Sequence, residues 1–474
     1  MNISLLAPEI VLTVWACMVL LVSVFLPAGT SRRPLLYLAV LGVFVTLGAV
    51  ITLIGRVESS FSGALTIDSY AIFFKILFLV AAALVLLASE TFTDLVEQYE
   101  GEFYAALLFC TAGFMLMASS TELMSIYVSL ELTSLSLAFL ASWAKRDLRS
   151  SEAGLKFFVL SAMSSAILLF GMALLYGVSG ATTLTGISNA LSGGATSASL
   201  LALSMIIAGF GFKISAVPFQ MWTPDVYEGA PTPVTAFLSV ASKAAGFAVI
   251  LRILAVALPS LQADWSALMA VLAALTMTFG NLAALVQSNV KRLLAYSSIA
   301  HVGYMLMGPA VATQLGFSGV LYYLLAYTLT NVAAFTVIIM LSRYIPDEDL
   351  EYFSGLGRRA PLLAFTLSLA LLSLAGLPPL VGFFSKLYLF WAVAERGLYW
   401  LLLLGVVNSA ISLYYYTRVI RQMYLVEPSV DKPVIVDVAP ALSLLTATTG
   451  VVLVGVLSGV FIPLAVQAAS AIIR

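Results

Sequence analysis

The chain has 474 residues, of which 62% are hydrophobic and 9% charged, with a formal net charge of −1; its mean hydropathy is +1.07. So few charges cannot cover a water-soluble domain of this length, and apolar stretches of about 18 residues or more recur from end to end. The composition excludes a soluble enzyme and defines a polytopic membrane protein with no nucleic acid expected among its partners.

The opening, MNISLLAPEIVLTVWACMVLLVSVF, lacks a basic leader and a small-residue cleavage site, so it reads as a first membrane helix. Hydropathy predicts about fourteen helices, roughly over 3–26, 35–54, 69–89, 103–119, 122–144, 155–178, 199–230, 232–257, 265–286, 292–311, 317–342, 361–394, 398–421 and 441–465. The fold class is therefore all-α. Cys17 and Cys110 stand alone in separate apolar runs, which supports neither a disulfide framework nor an iron–sulfur site. GFGF at 209–212 lacks the third glycine and the preceding strand of a dinucleotide fingerprint. No cofactor or metal site is expected in this chain.

Basic residues are unequally shared between the connections. The odd-numbered ones hold Arg32, Arg33, Lys145, Arg146, Arg149, Lys291, Arg292, Arg343, Arg358, Arg359, Arg418, Arg421 and Lys432; the even-numbered ones hold only Arg56, Arg252 and Arg396. The positive-inside rule then sets the odd connections in the cytoplasm and both termini on the other side. The third connection, with Glu90, Asp94, Glu97, Glu100 and Glu102, is acidic, but acids weigh little in this rule. Arg474 ends the chain. Lys75 and Lys156 lie near span ends, where long stems can snorkel to the headgroups.

Five other titratable groups lie deep. Lys243 is ten residues beyond Pro233, roughly 15 Å into the membrane at 1.5 Å per residue. Glu131 is at a similar depth beyond Glu122, and His301, the single histidine, lies nine residues beyond Arg292. Lys213 and Lys386 sit in the seventh and twelfth segments, which are too long for one straight crossing and are interrupted by Pro218 and by Pro378–Pro379. Glu131 and His301 are 170 positions apart (301 − 131), and Lys213 and Lys386 are 173 apart (386 − 213). Five helices separate the broken ones, so an internal duplication must enter the membrane from opposite sides. The expected divisions are an N-terminal three-helix segment (1–102), two inverted five-helix repeats (103–257 and 265–421) with broken helices 7 and 12, and a C-terminal helix (441–474).

A buried charge costs at least about 2.5–3.5 kcal/mol on insertion scales. One explanation is a salt bridge between Glu131 and a lysine that only fixes packing. Three lysines and one carboxylate cannot pair off, however, so at least one lysine is hydrated or held neutral, and such a group can pass protons. His301 is either a hydrogen-bonded packing residue or a relay group that titrates in the physiological range. Ser297, Ser298, Tyr304, Ser239 and Ser242 could carry waters between the charged groups. The acids Asp225 and Glu228 in MWTPDVYEGAPTPVTAF either cap a rigid connection or collect protons, and the first reading is favoured.

Glu131 in a fifth helix, Lys213 before PFQMWTPDVYEGAPTPV, Lys243 in LSVASKAAGF and Lys386 after GLPPLVGFF resemble the antiporter-like membrane subunits of respiratory complex I. The likeness covers nearly the whole chain. LLAPEIVLTVWA and SEAGLKFFVLSAMSSAILLFGMALLYG look most like one branch of that family, and the last expected helix is not followed by the long lateral amphipathic helix of the L type. The resemblance implies a proton relay in which Glu131 modulates Lys213, Lys243 is the central lysine, and His301 continues toward Lys386. It implies a parent complex that uses NADH, FMN, iron–sulfur clusters and quinone, all held by other subunits. The implied partners are further antiporter-like subunits (M and L type), small K, J and A type subunits and the lipid bilayer, in a bacterial inner membrane. A subunit of a sodium/proton antiporter or membrane hydrogenase, and a purely structural scaffold, are the alternatives. Thirty positions beyond Lys386 stands Tyr416, where the first repeat has Lys243, so the second half lacks a central lysine.

Overall fold

The computed structural model of the protein describes residues 2–26, 33–92, 99–428 and 434–473; Arg32, Asp94, Glu97, Lys432 and Arg474 lie outside the described residues. Helices α1 (Ala7–Phe25), α2 (Arg33–Ile51), α3 (Ser69–Ala88), α4 (Glu100–Ser119), α5 (Leu123–Ala141) and α6 (Leu148–Ser179) come first. The seventh, α7, is split into Ser197–Ile214 and Trp222–Gly229, and α8 runs over Thr232–Ala257. Next come α9 (Gln262–Leu285), α10 (Val290–Val311) and α11 (Gln314–Leu341). The twelfth, α12, is split into Pro361–Ala375 and Val381–Glu395, and is followed by α13 (Tyr399–Leu425) and α14 (Val438–Val456). After α14 the chain bends at Leu457 into Ser458–Ser470.

Among the described residues, twelve helices are by themselves long and apolar enough to cross a membrane. The other two crossings are α10, which carries the polar run Ser297, Ser298, His301 and Tyr304, and α12, whose halves have 15 residues each. Both expected breaks are present. The most apolar windows of α3, α8 and α11 are 83%, 89% and 94% buried, against 33% for α1, α6 and α13. The former make the core, and the latter lie at the periphery of the bundle.

Helix starts follow local chemistry. Asp68, Glu122, Asp147, Thr196, Asn289 and Thr313 each accept a hydrogen bond from an otherwise orphaned first-turn N–H. The Asp147 cap starts α6 at Leu148, earlier than hydropathy alone gives, because its first three turns carry Arg149, Glu152 and Lys156. A small antiparallel hairpin, β1 (Glu58–Ser60) with β2 (Leu65–Ile67), fills the connection between α2 and α3.

Lys291, expected in a connection, is buried as the second residue of α10, and two further basic residues sit otherwise than expected. Lys75 does not snorkel: it is fully buried and ion-paired with Glu9 at 2.7 Å. Arg252 lies inside α8 rather than in a connection, gripping Asp68 through two bonds of 2.8 and 3.0 Å and donating to the Ala118 carbonyl at 3.1 Å. Side chain and counter-ion are nearly inaccessible in both pairs. They clamp α1 to α3 and the start of α3 to the end of α8.

Candidate functional site

The breaks in α7 and α12 are built alike. Each first half ends in a left-handed residue, Ser215 (φ 68°) or Gly376 (φ 90°), and each break holds one cis X–Pro bond, Val217–Pro218 or Pro378–Pro379. A break frees backbone groups that must find partners inside the membrane. In α7 the Phe212 carbonyl accepts from the Trp222 indole at 2.9 Å, and the Val217 N–H donates to Thr276 of α9 at 3.0 Å. In α12 the Ala375 carbonyl accepts from Lys386 Nζ at 3.0 Å and from Ser409 at 3.2 Å. The second break therefore holds its lysine with the very carbonyl it frees. Gly376 is needed twice there, since a side chain would be strained at its φ and its Cβ would come within 3.0 Å of the Lys386 stem.

Lys213 is the penultimate residue of the first half of α7, whereas Lys386 lies in the second half of α12. The two lysines thus flank their breaks on opposite sides in chain order, although both ammonium groups sit at the interruption. Lys213 donates to Thr133 and Ser134 of α5 at 3.0 and 3.3 Å and stands 5.8 Å from the Phe114 ring centroid. Gly246 of α8 leaves room for its stem; a Cβ there would meet Lys213 Cγ at 3.3 Å.

Glu131 projects from the same stretch of α5, but it does not touch Lys213. Its carboxylate accepts a hydrogen bond from Ser165 of α6, and Ser165 is in turn bonded to the Tyr127 hydroxyl at 3.0 Å.

Lys243 is wholly inaccessible. It follows a π-helical turn, Leu238–Ser242, and a second such turn, Ile253–Ala257, ends α8. π-turns inside α-helices are frequent at functional sites. Lys243 donates to Ser298 of α10, which also accepts from Tyr327 at 2.7 Å and meets the Tyr227 hydroxyl at 3.4 Å. His301 is buried one turn further along α10. Its Nδ1 bonds the Tyr323 hydroxyl at 2.7 Å, and its Nε2 meets that of Tyr416 at 3.2 Å; Tyr416 also pairs with Ser297 at 2.5 Å. Tyr416, the residue standing where a second central lysine was missed, thus belongs to the polar chain itself. Lys386 donates to Ser409 at 2.9 Å and lies 4.8 Å from the Tyr304 ring centroid. A small cavity of about 10 Å³, room for roughly one water molecule, is lined by His301, Tyr323, Tyr327, Thr330, Ser373 and Ser385. It bridges the histidine to the break in α12.

The five residues singled out by sequence therefore fall into three groups: Glu131 with Ser165, Lys213 with Thr133 and Ser134, and a central band of Lys243, His301 and Lys386. Among the described residues no hydrogen bond joins Lys213 to Lys243. Of the proposed water carriers, Ser297, Ser298 and Tyr304 face the band. Ser239 bonds back to the Ala236 carbonyl, and the buried Ser242 hydroxyl has no protein partner. Helix α10 starts at Val290, so His301 lies one turn deeper in α10 than Glu131 does in α5.

At one end of α6, Asp225 and Glu228 are not free collectors. Asp225 bonds Lys156 at 2.8 Å and Arg292 at 2.9 Å, Glu228 bonds Arg292 at 2.7 Å, and Glu152 bonds Lys156 at 2.8 Å. This network ties the second half of α7 to α6 and α10 around an open pocket. Sequence reading missed it, along with Ser165, Trp222 and the tyrosines of α11, because charges and hydroxyls acquire partners only when separate helices meet.

The family model for NADH:quinone oxidoreductase/Mrp antiporter membrane subunits matches residues 120–412. NADH-quinone oxidoreductase subunit N of Trichlorobacter lovleyi is 46% identical over 472 residues, 98% of this chain and 97% of that protein. A chain of respiratory complex I from Thermus thermophilus, solved with aureothin bound, superposes with a TM-score of 0.83 at 34% identity, covering 97% of this chain and 99% of that one. A chain of the Mrp complex from a Dietzia species shares the fold, with a TM-score of 0.84 at 22% identity and coverage of 98% and 97%. The chain belongs to the family of antiporter-like membrane subunits of NADH:quinone oxidoreductase and Mrp antiporters. Within that family it is of the respiratory complex I type and most like subunit N.

Proposed function

We propose that this chain conducts protons across the membrane within an NADH-quinone oxidoreductase while partner subunits carry the electrons. One contrast carries the reading. The buried cations that tie helices together each have a carboxylate in reach, Lys75 and Arg252 at 2.7–2.8 Å and Lys291 at 3.5 Å. The equally buried Lys213, Lys243 and Lys386 have only hydroxyl and carbonyl acceptors. A carboxylate locks a lysine in its charged form, whereas neutral acceptors serve ammonium and amine alike and leave the proton free to move.

In this reading protons enter at the Asp225–Arg292 end, which the positive-inside rule sets in the cytoplasm of a bacterial inner membrane, with both termini on the other side. They pass Lys213 and Lys243 and reach Lys386 by way of Ser298, His301 and the water-sized cavity. Glu131 biases Lys213, since a nearby carboxylate favours the ammonium and its withdrawal favours release. NADH, FMN, iron–sulfur clusters and quinone belong to other subunits, and the neighbours in the membrane are M, L, K, J and A type chains. Lys213→Ala or Lys243→Ala in the whole complex should suppress NADH-driven proton translocation while the complex still assembles. Sodium-dependent proton flux in vesicles without any electron donor would instead favour the antiporter alternative.

A further inference from the structure

The Glu131 carboxylate accepts its hydrogen bond from the Ser165 hydroxyl and not from Lys213. Glu131 and Ser134 lie three residues apart on α5, on one helix face, where side chains are neighbours about 5–6 Å apart. Ser134 and Thr133 hold the Lys213 ammonium. The carboxylate therefore starts within one turn of the cation it could pair with, yet it is bound to the neighbouring helix instead.

A serine has one proton to give and lone pairs to receive. Ser165 gives its proton to Glu131, so the 3.0 Å bond from Tyr127 must be one in which the tyrosine donates. Tyr127, Ser165 and Glu131 thus form a directed chain whose members strengthen one another, ending on a carboxylate. Ser165 is buried, and its neighbour Ser164 donates to the Gly209 carbonyl of α7 at 3.2 Å, which fixes α6 against the helix that carries Lys213.

We infer that Ser165, oriented by Tyr127, is a positioning residue that holds Glu131 in a withdrawn state and so sets when Lys213 can release its proton. The inference rests on the relay reading above. The other titratable group close to Lys213 is Cys110 of α4, whose thiol donates to the Thr133 carbonyl at 3.8 Å.

The test is the pH profile of NADH-coupled proton uptake by the assembled complex in proteoliposomes, for Ser165→Ala, Ser165→Thr, Glu131→Gln and the Ser165→Ala/Glu131→Gln double variant. Without the hydroxyl, Glu131 swings to Lys213 and stabilises its proton. The alkaline limb of the Ser165→Ala profile should then move up by about one pH unit, the scale of one charge-assisted hydrogen bond. Ser165→Thr, which keeps the donor, should restore the native profile, and Ser165→Ala should add nothing in the Glu131→Gln background. A native profile for Ser165→Ala, a Thr variant that behaves like the Ala variant, or a shift that persists in Glu131→Gln overturns the inference and leaves the relay standing. Unaltered translocation in Glu131→Gln would remove Glu131 from the relay and this inference with it.

Discussion

At the scale of single residues, burial separates cations that hold the molecule together from cations that can change state. Lys243 illustrates the second kind: its ammonium has the Ser298 hydroxyl as acceptor and the Tyr227 ring 5.6 Å away. Ser298→Ala should strip that acceptor and leave a buried donor unsatisfied, at a cost of about 1–3 kcal/mol. We expect lower proton uptake per NADH in vesicles carrying Ser298→Ala and near-native uptake with Ser298→Thr. Equal uptake in the two variants would mean that Ser298 only fills space. The depth of Lys243 and Glu131 was legible in sequence because distance from a helix end is a count of residues. Their partners were not, because Ser165 and Ser298 belong to helices whose rotation no count reveals.

At the scale of elements, two interrupted helices organise the site. Proline and overlong apolar segments gave them away, and α7 and α12 break where expected. How each break is satisfied was hidden, since the partners are Trp222, Thr276 and Lys386, three unlike residues doing one job. Trp222→Phe keeps the ring but leaves the Phe212 carbonyl with only the Ser215 N–H at 3.0 Å. It should loosen the second half of α7 by about 1–2 kcal/mol, read as faster hydrogen exchange over Trp222–Gly229 than in the native complex. Unchanged exchange there would show that the ion pairs of Asp225 and Glu228 suffice to dock this segment. The π-turn Leu238–Ser242 beside Lys243, which packs against α11 and α3, was equally illegible, because LSVASKAAGF carries no proline or glycine pair to mark it.

At the scale of the whole molecule, the clamps and the relay should fail differently. Lys75→Met leaves Glu9 as a lone charge at 3% exposure, which costs about 3–5 kcal/mol. Less assembled complex should then be recovered in mild detergent, and Lys75→Met combined with Glu9→Leu should recover much of it, because an apolar pair is tolerated where a broken ion pair is not. Recovery no better in the double variant would show that the pair does more than clamp. Lys243→Met removes a cation that no carboxylate needs, so assembly should survive while conduction is lost. The most direct measurement is the number of protons translocated per NADH oxidised by purified, fully assembled complex carrying Lys243→Met, reconstituted beside the native complex. The account predicts a ratio clearly below the native one; an unchanged ratio would contradict it.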